Sequence, residues 1–132
     1  MRKRPAQMHP MLRAQIRQKW SSECVNGQIH ALFGDNKDKL LAYGSVLMFV
    51  ASACANHSGM QEDSYQFRII RGAINALDDL KERPEITDID RGSIYSGLLV
   101  SQEIIQETPV QIVDDAANMY AQMSYAHEGV MQ

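Results

Sequence analysis

The stretch Leu40–Ala55, LLAYGSVLMFVASACA, runs for sixteen residues without a charge. It is too long for one strand and shows no alternation of apolar and polar residues, so it reads as a helix. Being apolar nearly all round, it belongs at the centre of a bundle, where every face meets another helix. The competing reading is a membrane span, but crossing a bilayer takes ~20 apolar residues. This run falls short and includes Ser45 and Ser52, so no membrane association is expected. Gly44, Ala51 and Ala55 would let a neighbouring helix approach closely.

On the N-terminal side, Leu12, Ile16 and Trp20 recur every four residues and predict a helix from about Met11, with Arg13 and Arg17 forming a second stripe. Asn26-Gly27 reads as its stop, and Gln28–Phe33 as a short continuation closed by Gly34-Asp35. Residues 1–10 hold two prolines together with Arg2, Lys3 and Arg4, and read as an irregular basic arm.

On the C-terminal side, Gln61–Arg83 is the clearest amphipathic segment. Phe67, Ile70, Ala73, Ile74, Leu77 and Leu80 share one arc, and Arg68, Arg71, Asn75, Asp79 and Glu82 lie opposite. Pro84 ends it. Thr87 then predicts an N-cap, with Asp88 and Asp90 placed to favour the helix dipole, for a helix reaching about Gln106. Its main face is Ile94, Leu98 and Ile105, and Ser93, Gly97 and Ser101 make a second stripe of small residues. Thr108-Pro109 repeats the start signal. The last helix, Val110 to about His127, is expected to turn Val113, Ala116, Ala117, Tyr120 and Met123 inward. No segment alternates with period two for long enough to be a strand. The prediction is an all-α fold: a compact bundle of about five helices in a single domain over residues 11–132, preceded by the basic arm 1–10.

Hydrophobic residues at 45% and charged residues at 22% are the proportions of a globular protein and exclude global disorder. The net charge of -3 hides a segregation. Six of the 13 Lys and Arg fall in residues 1–22 (Arg2, Lys3, Arg4, Arg13, Arg17 and Lys19), where there is no acid. From Gly92 onward there is no Lys or Arg, against Glu103, Glu107, Asp114, Asp115 and Glu128. Such a division usually means that two surfaces meet different partners. The two cysteines, Cys24 and Cys54, are too few and too far apart for a disulfide framework, and the charged start runs into Pro5 rather than an apolar leader. A reducing cytoplasm is the expected location.

No motif for chemistry stands out. Cys24, His30, Cys54 and His57 are zinc-type ligands, but an antiparallel pair of helices would place Cys24 and Cys54 at opposite ends of a helix about 24 Å long. Asp88-Ile89-Asp90 lacks the Gly and Glu that a calcium loop needs further on. Asp78-Asp79 and Asp114-Asp115 point ~100° apart on a helix, and no Glu-x-x-His accompanies them. No nucleophile elbow or phosphate loop is present, and His127 reads as a helix-end residue. Neither an enzyme nor a cofactor is expected.

Two functional surfaces remain. The first is an acidic face, Glu103, Glu107, Asp114 and Asp115, suited to occluding a basic site on another protein. That is the mode of a small regulator or inhibitor, as among the compact accessory proteins of phages and mobile elements. The second is the basic arm with Arg13, Arg17 and Lys19, suited to nucleic acid or an acidic partner, where Trp20 would stack on a base or pack in the core. Ser93, Gly97 and Ser101 would pack helix on helix, within one chain or across a homodimer.

Overall fold

Five α-helices and no strand form among the described residues: α1 Pro10–Phe33, α2 Lys37–His57, α3 Tyr65–Lys81, α4 Asp88–Glu107 and α5 Val110–Met131. The computed structural model describes residues 8–131, with side chains for residues 8–124. Arg2, Lys3 and Arg4, like the side chains of His127 and Glu128, lie outside the described residues. The chain is an all-α bundle.

Local chemistry sets the helix starts. Asn36 accepts from the Lys39 N–H (3.0 Å) to cap α2, and Ser64 accepts from the Phe67 N–H (3.4 Å) to cap α3. At α4, Thr87 accepts from the Asp90 N–H (3.1 Å) while the Asp90 carboxylate accepts from the Thr87 N–H (3.4 Å), a reciprocal capping box. The helix ends are closed differently, by cations reaching across the fold to the bare carbonyls of a last turn. The Arg17 guanidinium donates to the carbonyls of Ile105 (2.8 Å), Gln106 (3.3 Å) and Thr108 (2.7 Å) at the end of α4. Arg91 does the same at the end of α1, on Ala31 (3.1 Å) and Gly34 (2.8 Å). Lys37 closes α3 through Lys81 (3.4 Å) and Arg83 (2.8 Å).

These contacts fix the topology. Arg17 at one end and Arg91 at the other hold α1 and α4 antiparallel, and Gln28 Nε2 donates to Gln102 Oε1 (2.6 Å) between them. The charge-free segment becomes α2, which packs against α1, α3, α4 and α5, as its all-round apolarity predicts. It is long and apolar enough to cross a membrane by length and composition alone. Here Leu40, Leu47, Met48, Val50, Ala51, Cys54 and Ala55 are buried inside the bundle. Ile70, Leu80, Ile94, Leu98 and Ile105 complete the core from α3 and α4.

The structure corrects the sequence reading at several points. Asn26-Gly27 does not end the first helix; α1 runs unbroken to Phe33. Gly27 is instead the point where α2 comes close: a Cβ there would lie 2.9 Å from Leu47 Cδ1. A helix tolerates one glycine at about 1 kcal/mol, which this contact offsets. The third helix begins at Tyr65 rather than Gln61, because Ser64 caps it. Its buried arc is rotated, so that Ala76 is buried and Ile74 is 37% exposed. Met123, expected to turn inward, lies 56% exposed.

Candidate functional site

The carboxylates singled out by the charge pattern lie on either side of the turn where α4 gives way to α5. Glu103 and Glu107 are one turn apart on α4 and exposed; Asp114 is half-buried and Asp115 exposed near the start of α5. Asp115 accepts from Gln111 Nε2 (3.2 Å). The ion pairs among the described residues lie elsewhere: Lys81 with Asp78 (3.3 Å), Arg83 with Asp79 (3.9 Å) and Arg83 with Asp90 (2.9 Å). The nearby Arg17 is held beneath this turn by the three carbonyls that it closes.

The basic surface fares differently. Arg17 is committed to the end of α4, and Trp20 is only 6% exposed, in the core rather than displayed for a base. Arg13 and Lys19 are exposed, with the Lys19 ammonium 5.7 Å from the Trp20 ring centroid. Arg13 and Arg17 also line a shallow hollow of about 310 Å³ with Pro10, Ala14 and Val110.

The stripe of small residues on α4 is used within the chain. A Cβ on Gly97 would collide with that of Ala73 on α3 and lie 2.9 Å from Met48 Cε on α2. Ser101 is fully buried, its hydroxyl donating to Gly97 O (2.7 Å), and Ser93 is half-buried.

A cleft of about 440 Å³ lies between α3 and α4 and is lined by Gly72, Asn75, Asp79, Arg83, Asp90 and Ser93. Its principal charges satisfy one another. Arg83 binds both Asp90 oxygens at 2.9 Å. Burial raises the Asp90 pKa, but the bonds from Thr87 and Arg83 outweigh that and leave it below the usual carboxylate value.

Burial pushes the Cys24 thiol up to about 11, with Glu23 adding to the rise. It raises Cys54 as well, against the opposing influence of Thr108 and Arg17. A reactive cysteine needs the reverse shift and an exposed sulfur. Cys24 and Cys54 are 1% and 0% exposed, and His57 lies at the exposed end of α2. His30 stacks on Tyr43 (centroids 5.2 Å apart), its Nδ1 buried without a hydrogen-bond partner. No group of three or more His, Cys, Asp or Glu side chains converges as a metal site among the described residues.

One surface escaped the sequence reading. Val25, Ile29, Leu32 and Phe33 are 45%, 51%, 41% and 77% exposed along the outer side of α1. Their spacing was legible, but reading Asn26-Gly27 as a stop divided the stripe. No family model, curated protein or solved structure matches the chain.

Proposed function

We propose that this chain is a non-enzymatic helical regulator or inhibitor that acts by binding another protein, in the manner of phage and mobile-element accessory proteins. Glu103, Glu107, Asp114 and Asp115 dock on a basic surface of the partner and occlude it. The observation that supports this reading is the uneven use of charge. Arg17, Lys37, Arg83 and Arg91 are spent within the chain on carbonyls and on Asp90, whereas these four carboxylates have no ion pair among the described residues. Opposed charge of this kind steers association and selects partners.

The rival reading, nucleic-acid binding through the arm and first helix, loses Arg17 and Trp20 from its surface and keeps Arg13 and Lys19 among its described residues. Affinity capture from the native host, with and without nuclease, separates the two. Retention of one defined protein after nuclease treatment supports protein binding; capture that nuclease abolishes refutes it.

A further inference from the structure

The cleft between α3 and α4 follows one side of α3, from Gly72 through Asn75 and Asp79 to Arg83, a rise of about 16 Å. Ser93 stands on the facing wall, and Ile89, 81% exposed, on the rim. The end at Gly72 is roomy, since nothing lies within 4 Å of where its Cβ would be. The walls still have bonding capacity. Asn75 is exposed, and its amide can both donate and accept. Arg83 spends Nη1 on the two Asp90 oxygens, while its Nη2 stands 3.9 Å from Asp79, beyond hydrogen-bond length. Nη2 therefore keeps donors, and the 64% exposed Asp79 carboxylate keeps acceptors, for a group from outside.

We propose that this cleft binds an extended peptide segment of another protein, with a lysine or arginine of that segment beside Asp79. Spacing favours a peptide. Asn75 and Asp79 are one turn apart, about 6 Å along α3, and Arg83 follows at the same interval in sequence. An extended chain presents its N–H and C=O groups on one edge every two residues, about 6.6 Å apart. Each of the three side chains therefore meets one repeat: Asn75 bonds an N–H and a C=O, Asp79 accepts from an N–H, and Arg83 Nη2 donates to a C=O. The length of the cleft holds about five residues at ~3.3 Å each. Charge selects the basic residue. Residues 78–90 carry Asp78, Asp79, Glu82, Glu85, Asp88 and Asp90 against Lys81 and Arg83. Those two cations are already held, by Asp78 at 3.3 Å and Asp90 at 2.9 Å, so the end of the cleft at Asp79 stays net negative. The site is about 25 Å along α4 from Glu107 and does not rest on the proposed function.

The probes are two blocked pentapeptides, acetyl-Ala-Ala-Arg-Ala-Ala-amide and its counterpart with glutamate at the centre, and the single residue acetyl-arginine amide. Each is titrated to millimolar concentration into the isotope-labelled full chain at low salt and followed by NMR. The arginine peptide should move the backbone amide resonances of Gly72, Ile89 and Ser93 and the side-chain amide of Asn75. It should bind about fivefold more tightly than the glutamate peptide, and acetyl-arginine amide at least about tenfold more weakly, lacking the backbone repeats. Asn75→Ala should weaken both pentapeptides about tenfold, through the loss of two hydrogen bonds. Asp79→Asn should leave both bound and erase the preference for arginine. Both positions are exposed, and circular dichroism should show unchanged helix content. Unmoved resonances, glutamate bound as tightly as arginine, acetyl-arginine amide bound as tightly as the peptide, or an Asn75→Ala chain with undiminished affinity would overturn the proposal.

Discussion

Replacing Gly97 with alanine tests the packing of the bundle at its tightest point. The added methyl would collide with the Ala73 Cβ and approach Met48 Cε to 2.9 Å. The Met48 side chain can swing away, but the Ala73 Cβ is fixed to its helix, so α3 and α4 must separate. Overpacking of this kind costs typically 1–3 kcal/mol, and the rigid contact places it near ~3. Alanine returns about 1 kcal/mol of helix propensity, leaving a net loss of ~2 kcal/mol. Gly92 is the control in the same helix: nothing lies within 4 Å of its Cβ position, so Gly92→Ala should stabilise by up to ~1 kcal/mol. Urea unfolding followed by circular dichroism measures both. In chains of this length 1 kcal/mol moves Tm by about 4 °C, so the two variants should melt roughly 12 °C apart. Removing the opposing methyl with Ala73→Gly should relieve that clash and make Gly97→Ala stabilising by up to ~1 kcal/mol, a coupling of ~3 kcal/mol. Equal stabilities for the two single variants, or no coupling, would refute the close α3–α4 contact.

Other consequences are equally direct. Arg17→Ala should lower stability by ~2–3 kcal/mol in the same assay, because three carbonyls at the end of α4 lose a charged donor, while the exposed Arg13→Ala should change it little. The lowered pKa of Asp90 means that its contribution is present above the ordinary carboxylate pKa and is lost as pH falls through the folded value. Asp90→Asn should therefore flatten the acid limb of the stability profile. Cys24 titrates near 11 when folded against 9.0 when not, so between pH 9 and 11 the unfolded state binds fewer protons and stability falls as pH rises. Cys24→Ala should remove that slope, and at neutral pH neither native thiol should react with a thiol reagent until the protein unfolds.

The helical class, the central role of α2 and the capped start of α4 were all legible because each rests on neighbours in sequence. An uncharged run, a Thr87 three residues before Asp90 and a proline after α3 act locally. Contacts between distant segments were not. Arg17 looked like part of a nucleic-acid surface because nothing in its surroundings says that Thr108 lies beside it. Gly27 read as a helix stop, when what it meets is Leu47 on the next helix. The four carboxylates were identifiable by the absence of nearby Lys and Arg in the sequence. Their placement either side of one turn follows from where α4 stops at Glu107 and α5 begins at Val110.

What binds at the α4–α5 turn decides the proposed function. With the nuclease-resistant partner in hand, its affinity should be measured for the natural chain and for one carrying Glu103→Lys, Glu107→Lys, Asp114→Lys and Asp115→Lys together. Occlusion of a basic surface predicts a loss of at least about 100-fold with helix content preserved, and a natural affinity that weakens as salt is raised. Undiminished affinity in the charge-reversed chain would contradict it.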